Sequence, residues 1–404
     1  MHDKPQLLSS EGRNASGAFF TKDQEDIPVL VWTEQVAEGS DPTANRIHFA
    51  KWNAVAGDFG KTKVVQPSEG CRAHDESMSK LAFKADGTIV AVFSKRTPTP
   101  KNRFAGALYY TQSFDAGNTW TAAKYLHVGD TTHGLSRSFF DLAMLPDGEV
   151  GAIWLDSRMT KQRRDGSSLF FAKTQGRQGF LQDQLIGTGT CECCRTELLV
   201  AENGGIHAAY RDIWQDSIRD MSLVTSWDNG KTFSAPQRWS TDDWIVHGCP
   251  HTGPSLASTA DALHYVWFTM GGGQGIYYST SDDKGNDYTP RTLVTEKGRH
   301  PQLIATDQEQ MVLVWDENSK AGHAVHDHHN PTQAKQNVAT VPTSYIKAQV
   351  WEGGNPVREH WVSAPTAYAE FPVVADLGNH QMGIAWVQDI GTEGYGVYFR
   401  RLER

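Results

Sequence analysis

The 404-residue sequence has few cysteines, no excess of positive charge and no long apolar run. A membrane-spanning helix needs about 20 consecutive apolar residues, and no segment approaches that length. The formal net charge of −9 provides no basic surface, which argues against nucleic acid as a partner. Five cysteines are too few for a disulfide scaffold, and the odd number leaves at least one thiol unpaired within the chain.

Aromatic residues and glycine are abundant instead. The chain contains 13 Trp, 12 Tyr and 17 Phe, which suit strands better than helices, and 37 Gly, which suit frequent turns. Seven apolar runs end in an aromatic residue and recur at intervals of roughly 50 to 70 residues. They are Ile27–Trp32, Ile89–Phe93, Val150–Trp154, Ile206–Tyr210, Leu263–Trp267, Met311–Trp315 and Met382–Trp386. Such nearly continuous apolar runs indicate strands that are buried on both faces.

A second repeat is a loop with the pattern Ser-x-Asp-x-Gly-x-Thr-aromatic. It occupies residues 113–120 and 226–233, and a degenerate copy occupies residues 281–288. The pattern predicts a hairpin turn, because the aspartate can accept hydrogen bonds from nearby backbone N–H groups and glycine adopts the positive φ. This spacing resembles the Asp-box of sialidase-like β-propellers, and the resemblance implies that architecture.

Together the two repeats predict an all-β fold, a seven-bladed β-propeller with Asp-box hairpins, in which each blade has four strands. A six-bladed propeller, as in the sialidases that the Asp-box resembles, is the alternative. One β-propeller domain is expected over residues 1–404, with the stretch Gln6–Ser9 supplying the fourth strand of the last blade and closing the ring. The interval 321–365 is too long for a simple connection, so an insertion in the sixth blade is expected there.

Cysteines and histidines gather in the loops that this blade register places on one face, around the central channel. Thiolate and imidazole ligands select soft or borderline metal ions. The Cys-x-Cys-Cys spacing at 191–194 is too tight for ordinary zinc chelation, whereas Cu(I) accepts two or three thiolates, so copper is favoured and zinc is the alternative. The expected metal ligands are Cys191, Cys193, Cys194, Cys249, His247, His251, His326, His328 and His329.

These residues also allow other interpretations. In an extended loop, Cys191 and Cys193 share one ligand set and Cys194 points elsewhere, unless the loop is kinked. In an oxidising compartment, Cys191 or Cys193 could instead pair with Cys249 or Cys71 and join neighbouring blades through a disulfide. Buried thiols without any metal are a further alternative, and a histidine run such as the one at 326–329 is common in solvated loops.

The arginines of the same face support a second hypothesis. Sialidases hold the substrate carboxylate with three arginines, and they use a tyrosine paired with a glutamate as nucleophile and an aspartate as acid/base. The resemblance implies Arg72, Arg195 and Arg299 as carboxylate-binding residues, Tyr368 as nucleophile, Glu197 or Glu370 as its partner, and Asp75 as acid/base. The Arg-Ile-Pro signature of sialidases is missing near the N-terminus, which ranks this hypothesis below metal binding.

A more specific resemblance covers roughly residues 129–283. A group of bacterial proteins often labelled exo-α-sialidase shares Cys-x-Cys-Cys, Tyr-Arg-Asp, Ile-Arg-Asp and Gly-Cys-Pro, which occur here at 191–194, 210–212, 218–220 and 248–250. A polysaccharide lyase on a propeller is a third hypothesis, with the proton-abstracting and carboxylate-binding groups supplied by His133, Tyr210 and Arg211. A propeller that only binds other proteins is a fourth, so the sequence leaves open whether the chain is an enzyme.

The expected location follows from the Asp-box resemblance, and the expected partners follow from the cysteines, histidines and arginines of the channel face. Asp-box propellers are mostly exported, so we expect a periplasmic or secreted protein whose signal peptide has been removed, since residues 1–5 lack the apolar region of such a peptide. A cytoplasmic protein is the alternative. The expected partner at the channel face is a metal ion, or a small molecule or glycan.

Overall fold

Seven separate β-sheets make up the structure. The computed structural model describes residues 4–37, 44–128, 134–162, 166–246, 248–282, 285, 287–306, 309–318, 343–391 and 394–404. Six of the sheets have four strands and one has five, which confirms the seven-bladed β-propeller over the six-bladed alternative. No helix among these residues combines the length and the apolar character that a membrane span requires.

The strands are numbered β1 to β29 in chain order. They are β1 Gln6–Leu7, β2 Ala15–Lys22, β3 Pro28–Gln35, β4 Asn45–Asn53, β5 Asp58–Phe59, β6 Lys63–Val65, β7 Lys80–Phe83, β8 Ile89–Arg96, β9 Gly106–Ser113, β10 Lys124–Tyr125, β11 Arg137–Met144, β12 Val150–Asp156, β13 Ser167–Thr174, β14 Phe180–Thr190, β15 Glu197–Val200, β16 Ile206–Arg211, β17 Met221–Ser226, β18 Gln237–Arg238, β19 Ser255–Ser258, β20 Ala262–Thr269, β21 Gly275–Asp282, β22 Thr292–Thr295, β23 Gly298–Ala305, β24 Met311–Asn318, β25 Ser344–Glu352, β26 Asn355–Trp361, β27 Ala369–Gly378, β28 Gln381–Asp389 and β29 Tyr395–Glu403. Short 3₁₀ helices lie at Gln66–Ser68, Ser157–Gln162 and Gly176–Gln178.

Each blade is built from consecutive antiparallel strands, except the last. Blade 1 contains β2–β6, and blades 2 to 6 contain β7–β10, β11–β14, β15–β18, β19–β22 and β23–β26. Blade 7 combines β27–β29 with β1 from the other end of the chain, where Gln6 pairs with Phe399 and Leu7 with Tyr398. This pairing confirms the predicted closure of the ring by the N-terminal segment.

The second strand of every blade is the apolar segment that the sequence pattern predicts. In four of these strands the apolar run ends in a tryptophan that is 0 to 2% exposed. Each of these tryptophans donates its indole N–H to the side chain two residues further along the strand. The pairs, with Nε1–oxygen distances, are Trp32–Glu34 (2.9 Å), Trp154–Asp156 (3.2 Å), Trp315–Glu317 (3.0 Å) and Trp386–Gln388 (3.1 Å). A buried indole needs such an acceptor, so each tryptophan fixes its blade by packing and by a hydrogen bond.

The Asp-box loops join the third and fourth strands of blades 2 and 4. Oδ1 of Asp115 accepts hydrogen bonds from the backbone N–H groups of Asn118 and Thr119 at 3.1 and 2.8 Å, and Oδ2 accepts the Thr119 hydroxyl at 2.6 Å. Asp228 makes the equivalent bonds in the second copy, at 3.0, 2.8 and 2.6 Å. These bonds, led by the threonine hydroxyl, lower the pKa of both aspartates to about 2. The third copy includes residues outside the described part of the chain.

The expected insertion 321–365 is shorter in the structure. Its second half forms β25 and β26, the third and fourth strands of blade 6, in which β25 pairs with β24 and β26 pairs with β25. The additional chain therefore lies between Asn318 and Ser344. The histidines expected there as metal ligands, His326, His328 and His329, lie outside the described residues.

Candidate functional site

Loops from three alternate blades meet at the mouth of the central channel. Arg195, just before β15 in blade 4, donates a hydrogen bond at 3.1 Å to Glu76, which precedes blade 2, and another at 2.9 Å to the carbonyl of Pro301 in blade 6. Blades 2, 4 and 6 are not neighbours in the ring, so these contacts cross the axis. Burial raises the pKa of Glu76, and the Arg195 guanidinium opposes that rise. The buried ion pair thus joins the loops that surround the site.

Four of the first strands carry a β-bulge near their start. The residues with positive φ at these bulges are Gly17, Phe139, His300 and Phe371. Bulges redirect side chains and end regular pairing, and they are common beside functional sites. Here Oδ2 of Asp316 lies 2.7 Å from Nδ1 of His300 and accepts the Phe371 backbone N–H at 3.0 Å, so blade 6 is tied to blade 7 at the channel mouth.

The loop between β14 and β15 brings three thiols together. The Cys191 sulfur lies 3.6 Å from the Cys193 sulfur and 3.7 Å from the Cys194 sulfur, and all three lie within 4.8 Å of one another. Cys193 and Cys194 would point to opposite sides of an extended loop, so this loop is kinked. The structure therefore brings Cys191 and Cys193 together as expected and adds Cys194, which an extended loop would direct elsewhere.

A second group of ligand atoms shares one of these sulfurs. Cys249 and His251, in the loop before β19 of blade 5, lie with Cys193 so that their ligand atoms are all within 4.8 Å of one another. Cys191, Cys193 and Cys194 are buried, whereas Cys249 and His251 are partly exposed. His247 lies outside the described residues. We call Cys191, Cys193, Cys194, Cys249 and His251 the thiol cluster.

Cys71 is not part of the thiol cluster. It is buried in the apolar core between blades 1 and 2, and this burial raises the pKa of its thiol to about 12. All five cysteines are free thiols, so the disulfides considered from the sequence are not formed. Four of the five cysteines of the predicted face therefore converge, and the fifth packs as a small apolar residue.

Two arginines place positive charge beside the thiol cluster. Arg211, which is 1% exposed, donates hydrogen bonds to the carbonyls of Arg219, Thr252 and Phe268 at 2.8, 3.1 and 2.9 Å. Burial disfavours the Cys194 thiolate, but hydrogen bonds with the neighbouring thiols and the Arg211 charge hold the pKa of Cys194 well below its usual range. Burial alone would lower the pKa of Arg219. The charges of the nearby sulfurs and of Glu192 together have a larger effect, so the pKa of Arg219 is raised. Hydrogen bonds with the neighbouring thiols and burial raise the pKa of Cys193, and the net shift of the pKa of Cys191 is also upward. Of these three adjacent thiols, Cys194 is therefore the one that the neighbouring positive charge favours as a thiolate.

A separate pocket at the channel mouth contains carboxyl and phenol groups. Its volume is about 270 Å³, and its lining includes Asp75, Tyr368, Glu370 and Tyr395. Burial, the charge of Asp316 and that of Asp75 raise the pKa of Glu370 to about 8, although a hydrogen bond with Tyr368 opposes this rise. Burial also raises the pKa of Asp75 to about 6 and that of Tyr368 to about 12. We call this cavity the acidic pocket.

The other residues expected in a sialidase-like site do not line the acidic pocket. Glu197 and Arg195 line a cavity of about 350 Å³ among the first strands, where Oε1 of Glu197 accepts the Leu256 backbone N–H at 2.9 Å. Arg299 donates to the Pro250 carbonyl at 2.6 Å, and Arg72 is partly buried. The structure thus groups Asp75, Tyr368 and Glu370, whereas Arg195 and Arg299 hold backbone and carboxyl groups of the protein itself.

Two of the residues expected to serve a polysaccharide lyase are too deeply buried to contact a polymer. Tyr210 is 0% exposed and Arg211 is 1% exposed, because both lie on the second strand of blade 4 and its buried end. His133 lies outside the described residues. The described part of the chain therefore offers no observation in favour of the lyase hypothesis.

The raised pKa of Glu370 predicts a pH-dependent stability. The pKa of the Glu370 carboxyl rises from 4.5 to about 8 on folding. Deprotonation therefore costs more free energy in the folded state than in the unfolded state, so the free energy of unfolding decreases as the pH increases through that interval. We expect Glu370→Gln to remove this loss, so the variant gains stability relative to the wild type at pH 8 and not at pH 4. Urea unfolding at the two pH values, with the exposed Glu202→Gln as control, measures this; parallel pH profiles for wild type and Glu370→Gln would contradict it.

Comparisons with known proteins agree on the fold. No protein-family model matches the sequence, and no curated protein matches it. A protein of unknown function from Dyadobacter fermentans is similar in structure, with a TM-score of 0.56 and 13% identity over 100% of this chain and 98% of the other. The Hadza microbial sialidase Hz136 has a TM-score of 0.51 and 13% identity over 90% and 74% of the two chains. The K499G mutant of NanB sialidase from Streptococcus pneumoniae has a TM-score of 0.50 and 9% identity over 96% and 85%. At such low identities the similarity establishes a propeller like that of sialidases and leaves the chemistry to be argued from the residues.

Proposed function

We propose that this protein binds copper as Cu(I) through the thiol cluster. The observation that supports the proposal is the convergence of three buried thiols, with sulfur separations of 3.6 and 3.7 Å from Cys191. Sulfurs bound to one metal ion at about 2.3 Å each lie roughly 3.5 to 4 Å apart. A disulfide requires about 2.05 Å, so the observed spacing suits ligands of one ion better than partners in a bond.

The type and number of the ligand atoms support copper as the ion. Thiolates are soft ligands that favour Cu(I), and Cu(I) accepts the three-coordinate geometry that a Cys-x-Cys-Cys loop can supply. Three thiolates around a monovalent ion leave two negative charges, which Arg211 and Arg219 can balance. Structural zinc almost always takes four protein ligands, whereas this group of thiols supplies three. Zinc is therefore the weaker candidate.

Anaerobic reconstitution tests the proposal. We expect the purified, reduced protein to retain Cu(I) in competition with a chromogenic Cu(I) chelator, with at least about one equivalent bound after desalting. Cys71→Ser is the matched control, because it removes a buried thiol that lies outside the thiol cluster. Retention of less than about 0.2 equivalents by the wild type, or no dependence on Cys191 and Cys194, would contradict the proposal.

Copper binding is consistent with an exported location, which we also propose. A protein in the periplasm or outside the cell would meet copper before it enters the cytosol, and bound Cu(I) protects thiolates from pairing as disulfides. Fractionation of the native cells, with copper measured in the same fractions, checks this location. Recovery of the protein with cytosolic markers alone would count against it.

Glycoside hydrolysis at the acidic pocket is the second candidate function. The specific observation in its favour is that Asp75, Tyr368 and Glu370 line one cavity, with the hydrogen bond between Tyr368 and Glu370 that a tyrosine nucleophile would need. Against it, Arg195 already binds Glu76, so it is not available to a substrate carboxylate. Release of the aglycone from a fluorogenic sialoside, abolished in Tyr368→Phe, would establish this activity independently of copper.

A further inference from the structure

The thiol cluster consists of two overlapping groups of ligand atoms. Cys191, Cys193 and Cys194 form one group within 4.8 Å, and Cys193, Cys249 and His251 form the other. The five ligand atoms form two such groups rather than one, so they do not all lie within 4.8 Å of one another. Ligand atoms bound to one ion at about 2.3 Å cannot be more than about 4.6 Å apart. A single ion therefore cannot be bound by all five residues as they stand.

On the basis of the proposed copper binding, we propose that the thiol cluster holds two Cu(I) ions bridged by the Cys193 sulfur. The inner ion has three sulfur ligands, from Cys191, Cys193 and Cys194. The outer ion has two sulfurs and one imidazole nitrogen, from Cys193, Cys249 and His251. A thiolate has more than one lone pair, so one sulfur can serve both ions, and each Cu(I) then has three ligands.

The charges of the surrounding residues suit two monovalent ions. Four thiolates and two Cu(I) ions leave two negative charges in total. Arg211 acts on Cys194, and Arg219 acts on the sulfurs of both groups, including Cys249. The two guanidinium groups therefore offset the two negative charges of the loaded site, and the exposed Glu192 adds one negative charge beside it. Two divalent ions would instead give the region an excess of positive charge at a largely buried position.

The ligands of the two proposed ions differ in how deeply they are buried. Cys191 and Cys194 are each 1% exposed and Cys193 is 6% exposed, so the inner ion is sealed beneath the loop. Cys249 and His251 are partly exposed and therefore face the direction from which a copper donor or acceptor can approach. The outer position is thus the site of exchange, and the inner position is the site of retention. A competing chelator should remove the outer ion first and at least about tenfold faster.

Stoichiometry separates this inference from the function on which it rests. We expect anaerobic Cu(I) titration of the wild type to end at two equivalents, and Cys249→Ser to end at one. Cys71→Ser, the matched control, should still bind two. Circular dichroism and thermal unfolding of each variant before titration establish that it is folded.

Each outcome has one meaning. A wild type that binds one equivalent would overturn the two-ion arrangement and leave copper binding intact. A wild type that binds none would contradict copper binding itself. A folded Cys249→Ser that loses both ions, or keeps both, would overturn the assignment of Cys249 to a separate outer ion. His251→Ala provides the second variant, and the same loss of one equivalent is expected.

Discussion

Cys193→Ser is expected to weaken the binding of both copper ions, which is the largest effect on binding that any single substitution should produce. The Cys193 sulfur belongs to both groups of ligand atoms, so its removal leaves each ion with only two ligands. Removing an outer partner of a metal ligand typically weakens binding 10–100-fold, and removing a shared ligand should exceed about a hundredfold for both ions. Competition with a Cu(I) chelator measures the affinity of the reduced protein.

The fold should tolerate this replacement, because serine has nearly the same shape as cysteine and the loop is held by other contacts. One such contact is the hydrogen bond from the Cys191 backbone N–H to the Arg211 carbonyl, at 2.9 Å. Cys71→Ser controls for the loss of a buried thiol elsewhere in the propeller. A folded Cys193→Ser protein that still retains two equivalents with wild-type affinity would show that the bridge does not exist.

Arg211→Met is expected to have the largest effect on stability among substitutions near the site. The guanidinium donates to three carbonyl groups, on Arg219, Thr252 and Phe268, and it packs over the Trp244 ring at 5.0 Å. Each buried carbonyl that loses its donor costs about 1–3 kcal/mol, so the free energy of unfolding should fall by about 3 kcal/mol or more. Urea unfolding of the copper-free protein measures this loss.

Arg219→Met is the matched control for Arg211→Met. Both substitutions remove one positive charge beside the same sulfurs, but Nε and Nη1 of Arg219 have no hydrogen-bond partner among the described residues. We expect Arg219→Met to change the free energy of unfolding by less than about 1 kcal/mol while still weakening Cu(I) binding. Equal losses of stability in the two variants would contradict the role of Arg211 in holding blades 4 and 5 together.

The strand repeat made the propeller predictable from the sequence. Second strands are buried on both faces, and their apolar runs identified all seven blades, including the closure by Gln6 and Leu7. The end of the expected insertion was misplaced because neither β25 nor β26 contains the continuous apolar run that marks the second strands. Buried and partly exposed residues alternate along most of β25, and β26 lies at the outer edge of blade 6. Its residues, Asn355 to Trp361, are almost all exposed, so they carry no apolar signal that distinguishes a strand from a loop.

The blade register predicted which loops contribute to the candidate site, but not the contacts that form within it. The register placed all five cysteines on one channel face, but it could not reveal the kink that brings Cys194 to Cys191, nor that Cys71 packs into the apolar core. It also gave no sign that Arg195 would reach Glu76, because the two residues are 119 positions apart and meet only when the ring closes. Long-range ion pairs of this kind depend on the complete fold, and no local pattern in the sequence encodes them.

Copper K-edge X-ray absorption of the protein loaded anaerobically with Cu(I) tests whether the thiol cluster binds the ion. The thiol cluster predicts a first shell dominated by sulfur, with a smaller nitrogen contribution from His251 when two equivalents are bound, and the same spectrum in Cys71→Ser. In Cys193→Ser the amount of bound copper and the number of sulfur ligands per copper should both decrease. A first shell of nitrogen and oxygen alone, unchanged by replacement of Cys193, would show that copper binds elsewhere and would contradict the proposed function.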